Sequence, residues 1–198
     1  MPVMAEITDV LDLWFGEPGS DGFGKFRGAW FGKDSAFDAE VRSRFGKLVA
    51  RASVGSFDTW QETPEGALAL TIALDQFPRN IFRGLPKAFA ADAKARSIAL
   101  RAIDRGFDRG LLTMQRLFLY LLFQHSENLA DQRQGPPNMV DILEGFEGAL
   151  YDRFEFAIHR HCEIIERFGR FPHRNQTLVR LTSAIEAAFL KEPRSSFG

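Results

Sequence analysis

The sequence is poor in cysteine: Cys162 is the only one in 198 residues. No internal disulfide can form, so folding must rest on apolar burial, and the reducing cytoplasm is the expected location. Long apolar runs are also missing. The longest, Leu117–Phe123, falls far short of the roughly 18 residues a membrane span needs, and no membrane partner is expected. The opening MPVMAEITDV has no basic stretch leading into an apolar one, so no secretory signal is expected. Neither charge sign is in excess: the formal net charge is -1. That removes any general attraction to nucleic acid. Walker and dinucleotide glycine loops, His-Glu-x-x-His and paired Cys-x-x-Cys do not occur, and neither a cofactor nor a metal is expected.

What the chain does have is phenylalanine, 20 residues of it, within a composition that is 45% hydrophobic and 26% charged. That is the balance of an ordinary globule. A chain of this size can bury about 70% of its unfolded surface without a staple. One all-helical domain spanning residues 1–198 is expected. Arginine outnumbers lysine 19 to 6. A GC-rich genome accounts for such a bias; planar recognition of carboxylate or phosphate is the alternative wherever the arginines cluster.

The periodicity is helical, with no convincing alternating strand. Thr8 is placed to cap a first helix carrying Val10, Leu11, Leu13 and Trp14, and residues 17–32 read as an ordered loop. Ser35 and Asp38 form a capping-box pattern before Phe37, Val41, Phe45, Leu48 and Ala52. A helix over residues 64–77 is apolar nearly all round, as a central helix is, and Pro78 should end or kink it. Asp92 is placed to cap a helix running to Gly106, and Thr113 one running to about residue 125. Gly135-Pro136-Pro137 is the clearest expected break. Residues 138–168 read as two helices or one bent one, and Ser183 with Glu186 as the box before a last helix. Short connectors favour antiparallel helical hairpins, stacked in an array or gathered in a compact bundle.

Three polar clusters interrupt this apolar pattern. In Leu74-Asp75-Gln76-Phe77-Pro78-Arg79-Asn80, a carboxylate emerges from a buried helix, and Arg79 four residues on is its natural partner. The pair is either a structural ion pair or part of a site in which Arg79 holds an anion and Asp75 orients it. In Gln124-His125-Ser126-Glu127-Asn128, His125 and Glu127 can act as acid and base if shifted toward neutrality. Ser126 reads as a cap for a following helix with Glu127 in its first turn. The third cluster is Arg167-Phe168-Gly169-Arg170-Phe171-Pro172-His173-Arg174-Asn175. It reads as helix-end charge plus solvated arginine, or as an anion site. On spacing alone the first is the ordinary reading; what raises the second is an internal echo: Phe77-Pro78-Arg79-Asn80 resembles Phe171-Pro172-His173-Arg174-Asn175, each with an aromatic anchor, a proline, then Arg-Asn. Glu155, His159 and Glu163 share one helix face, whose ordinary reading is a solvated surface.

Taken in order, Leu13-Trp14-Phe15-Gly16, Trp30-Phe31-Gly32-Lys33 and the three clusters resemble the uncharacterised bacterial family catalogued as domain of unknown function 924. The resemblance spans nearly the whole chain. It implies an all-helical fold similar to tetratricopeptide-repeat proteins and implies no activity. Two functional expectations therefore stand. The first is a small anionic ligand, bound by Arg79, Asn80, Arg170, His173, Arg174 and Asn175, with His125, Glu127 or Asp75 transferring protons if there is catalysis. The second is a helical scaffold for a protein or peptide partner, which rests on fold analogy.

Overall fold

The computed structural model describes residues 2–196. Among the described residues it is helical without strands. The α-helices are α1 (Pro2–Phe15), α2 (Ser35–Ser53), α3 (Pro64–Thr71), α4 (Phe77–Ile81), α5 (Asp92–Asp104), α6 (Thr113–Gln124), α7 (Leu129–Leu143), α8 (Gly148–Phe168) and α9 (Ala184–Phe189). Short 3-10 turns join several of them.

The apolar faces lie where the spacing places them. Phe37, Val41, Phe45, Leu48 and Ala52 of α2 are buried, as is nearly all of α6. Trp14 sits at the centre, with the rings of Trp30, Phe37, Phe77 and Phe118 around it at centroid distances of 5.9, 5.8, 5.7 and 5.5 Å. Such ring pairs contribute about 0.5–1.5 kcal/mol each beyond simple burial. The loop before α2 is ordered because Trp30 belongs to this cluster and its indole N–H donates to the Trp14 carbonyl at 3.1 Å. A smaller core of Ile164, Ile165, Phe171 and Phe189 holds the C-terminal segment against α8.

Several helix boundaries differ from the sequence expectation. Thr8 lies inside α1 rather than at its start. The cap of α2 is Asp34, whose carboxylate accepts from the Ala36 and Phe37 amides at 3.0 Å. Asp92 and Thr113 are first helical residues, not caps. Ser183 and Glu186 do form the box at α9.

The prolines depart furthest from expectation. Pro78 does not end its helix. Residues Ile72–Gln76 widen into a π turn, in which the Phe77 amide reaches back to the Ile72 carbonyl, and α4 then runs on to Ile81. A proline ring collides with the carbonyl four residues back, here that of Leu74. A wider turn moves that carbonyl aside, so the helix continues with Asp75 and Gln76 at the bulge. Gly135-Pro136-Pro137 is likewise not a break but lies within α7. Gly135 is a packing glycine: a Cβ there would stand 3.0 Å from the Phe123 Cβ and 3.2 Å from the Gln124 amide nitrogen on α6. Close contact between α6 and α7 outweighs the local preference for a turn. Residues 138–168 divide between α7 and α8, with a short connector around Gly145.

Candidate functional site

The site begins at the π turn. Asp75 is 1% exposed and gathers three donors. The His125 Nδ1–H donates to its Oδ1 at 2.9 Å, the Gln76 amide to its Oδ2 at 2.5 Å, and Arg79 pairs with Oδ1 at 2.9 Å. Burial raises the Asp75 carboxyl, but Arg79 and then His125 outweigh it and hold Asp75 well below the usual carboxylate range. Asp75 is therefore an anion that orients His125, not a group that trades protons near neutrality. With Nδ1 donating to Asp75, the His125 Nε2 makes no hydrogen bond among the described residues.

Arg79 is shared. Besides Asp75, it holds Asp92 of α5 through two hydrogen bonds of 3.0 and 2.9 Å. The same Asp92 lies 3.8 Å from Arg174. Arg174 donates from Nη1 to the His125 carbonyl at 3.0 Å. Its guanidinium stands 4.7 Å from the Phe89 ring centroid and 4.5 Å from that of Phe171, while Arg79 approaches the Phe89 ring at 5.4 Å. The two Phe-Pro corners are thus neighbours, joined through Asp92 and Phe89, and both adjoin His125. Burial, then the adjacent Arg79, brings the Arg174 guanidinium down to about 10, so it stays charged at neutral pH. Arg174 is 7% exposed, and its Nε–H has no acceptor among the described residues.

Of these groups, Phe89, Asp92, His125 and Arg174 border an open cleft of about 310 Å³. Pro86, Phe89, Ala90, Ala93 and Leu178 give it an apolar wall, and Asp92, Arg96, His125, Ser126, Glu127 and Arg174 a polar one.

The remaining predicted site residues are tied into structure. Burial raises the Glu127 carboxyl, but hydrogen bonds from Arg180 and the Phe171 amide outweigh it and lower it. This shift runs away from neutrality. Arg180 grips both Glu127 oxygens at 2.6 and 3.0 Å, and the Phe171 N–H donates to the same carboxylate at 2.8 Å. Arg170 makes a two-pronged pair with Glu186 at 2.7 and 2.9 Å. Asn175 donates to Glu186 and accepts from Arg180. Arg170 and Asn175 therefore anchor the C-terminal segment. The Asn80 amide points to α2, donating to Asp38 at 2.7 Å. His173 is half-buried beside the Phe171 ring; burial and then Arg174 bring it down to about 4, so it is neutral at pH 7. Ser126 does not cap α7: its hydroxyl accepts from the Asn128 amide and donates to Asp131.

Asp92 and Phe89 join the site without a motif to announce them. Asp92 reads in the sequence as a helix start, and nothing local marks Phe89. Arg180 and His161 are similar cases. His161 of α8 is buried, its Nδ1–H donates to the Ala157 carbonyl, and burial brings it down to about 3. On the stripe further along α8, Glu155 accepts from Tyr151 and Glu163 pairs with Arg160. Among the described residues no group of His, Cys, Asp or Glu is arranged to hold a metal. A larger depression of about 500 Å³ lies at the end of α1. Its Asp12, Glu17, Lys25, Arg27, Glu40 and Arg44 mix both signs, and it contains none of the candidate residues. Among the described residues no helix is long and apolar enough to cross a membrane.

Residues 10–194 match the model of a family described as bacterial protein of unknown function, DUF924, and the chain belongs to that family. It is similar to the solved structure of a protein of unknown function, ATU0120 from Agrobacterium tumefaciens. Identity is 37% over 96% of this chain and 99% of that one, with a TM-score of 0.81. No curated protein matches.

Proposed function

We propose that this member of the DUF924 family binds a small anionic ligand, a carboxylate or a phosphate, in the cleft beside His125 and Arg174. Arg174 carries the reading. It is a cleft-lining guanidinium that is 7% exposed, lies between two aromatic rings and keeps a buried donor without an acceptor. The Nε–H itself is shut off from the cleft; a ligand anion is held by the charge of the cleft-lining guanidinium. Arg79 contributes indirectly, by fixing Asp75 and Asp92. His125, oriented by Asp75, is the group that exchanges a proton with the ligand if the protein is an enzyme. The π turn at Asp75 supports the reading, since such bulges gather at functional sites.

The second reading is a cytoplasmic scaffold of tetratricopeptide-like hairpins with a protein or peptide partner. The observation in its favour is the run of apolar side chains exposed around α9: Val179 at 88%, Leu181 at 93% and Ile185 at 65%. Native mass spectrometry of freshly purified protein, followed by calorimetric titration with carboxylates and phosphates, separates the two. The first reading expects a bound or titratable anion whose affinity falls at least about tenfold in Arg174→Ala, with a smaller fall in Arg174→Lys. Saturable anion binding unchanged in both variants would move the ligand elsewhere and refute this site.

A further inference from the structure

Building on that reading, we propose that Arg96 is a second binding residue for the anion, so that the ligand's charged head is shared between a guanidinium on α5 and that of Arg174. What matters is which arginine nitrogens the fold leaves uncommitted. Two arginines around the cleft are spent. Arg79 commits both terminal nitrogens to Asp75 and Asp92, and Arg180 both of its own to Glu127. Arg174 keeps one. Its Nη1 donates to the His125 carbonyl at 3.0 Å, its Nε is shut off from solvent, and its Nη2 makes no hydrogen bond among the described residues.

Arg96 keeps two. It lies four residues after Asp92 on α5, and residues at that spacing share a helix face; Asp92, Ala93 and Arg96 line the cleft together. The Arg96 Nε meets one oxygen of Asp131 on α7 at 3.0 Å, and its terminal nitrogens make no hydrogen bond among the described residues. The pairs Arg79–Asp92, Arg170–Glu186 and Arg180–Glu127 are all two-pronged. An arginine that served only to tie α5 to α7 would gain from the same fork. Arg96 instead takes a single prong and leaves both terminal nitrogens unused at the cleft. Asp131 is itself held by the Ser126 hydroxyl at 2.5 Å, so the guanidinium is anchored before a ligand arrives, which lowers the cost of ordering it. Asp92 stands 3.8 Å from Arg174 and about 6 Å along the helix axis from Arg96, which sets both guanidiniums on the same wall. An oxyanion reached by both gains charge-assisted hydrogen bonds from two elements of the fold.

The test is calorimetric titration of the full chain with phenylacetate and, separately, phenyl phosphate, whose rings suit the wall of Pro86, Phe89 and Leu178. The tighter of the two tells a carboxylate site from a phosphate site. In Arg96→Gln its affinity should fall at least about tenfold, and less in Arg96→Lys, which keeps the charge. Arg133→Gln, which removes an arginine paired with Glu166 outside the cleft lining, should leave the affinity unchanged. In the wild type, saturating probe should protect Arg96 from modification by phenylglyoxal, read by peptide mass spectrometry, so the question is decided even if Arg96→Gln does not fold. Affinity in Arg96→Gln within about twofold of wild type, an equal fall in Arg133→Gln, or Arg96 labelled equally with and without probe overturns the proposal. If Arg174→Ala still weakens the probe in that case, the anion site stands without Arg96. If neither probe binds the wild type and no anion co-purifies, the anion site itself fails and the proposal falls with it.

Discussion

Asp75→Ala measures how much of the site is structural. Removing one member of a buried ion pair ordinarily costs about 3–5 kcal/mol, because the partner charge is stranded. Here Arg79 is not stranded. It keeps both Asp92 oxygens at 3.0 and 2.9 Å, and the residue-75 carbonyl at 2.6 Å, a main-chain group that alanine retains. The donors that lose their acceptor are the buried Gln76 amide and the His125 Nδ1–H. Each costs about 1–3 kcal/mol when fully buried, less for His125, which is partly exposed. The expected loss is about 2–4 kcal/mol, read as a lower urea midpoint at neutral pH. Asp75→Asn should lose less. The pH dependence follows from the sign of the shift. Folding lowers the Asp75 carboxyl, so its contribution is complete above the unfolded value near pH ~3.9 and is lost as pH falls through the folded value. The gap between wild type and Asp75→Ala should be flat from about pH 5 to 8 and narrow below about pH 4. A loss under about 0.5 kcal/mol, or a gap that persists into acid, would refute this account of the buried pair.

Two further substitutions test the backbone that carries the site. A Cβ at Gly66 would lie 2.2 Å from the Trp60 carbonyl oxygen and 2.8 Å from the Thr63 hydroxyl. Gly66→Ala should therefore cost about 3 kcal/mol by forcing α3 away from its cap, and an unchanged denaturation midpoint would contradict that. Val179 is a β-branched residue at φ 54 with 88% of its surface exposed. The left-handed conformation costs it about 1–2 kcal/mol, while glycine adds about 0.5–1 kcal/mol of chain entropy to the unfolded state. Val179→Gly should then stabilise by about 0.5–1 kcal/mol, or about 1–4 °C in Tm; a lower Tm would mean Val179 makes contacts that offset its strain.

The helices were legible because apolar spacing is a local property that tertiary packing seldom reverses. The stripe of Phe37, Val41, Phe45, Leu48 and Ala52 becomes the buried face of α2. The apolar run around Leu117–Phe123 becomes the buried α6. Proline was harder to read, since its local cost can be absorbed by a change in the helix itself or offset by contacts distant in sequence. At Pro78 a π turn absorbs the clash, and at Gly135 close contact with α6 turns an expected break into a packed helix.

The site was legible only where chemistry interrupts apolar sequence. Asp75 and His125 stand out because each follows or lies within an apolar stretch, and Arg174 because it repeats the Phe-Pro corner that holds Arg79. Partner assignment was legible only for the local pair of Asp75 and Arg79; distant partners were not, because a carboxylate's role depends on which cation reaches it. Glu127 and Asp75 look alike in sequence as polar residues beside apolar helices. One is gripped by Arg180, 53 positions away, and the other receives His125, 50 positions away. Asn80, Arg170 and Asn175 are likewise engaged by Asp38 and Glu186. Once these pairings are made, Arg174 keeps a buried donor with no acceptor among the described residues, and its guanidinium lies 3.8 Å from Asp92.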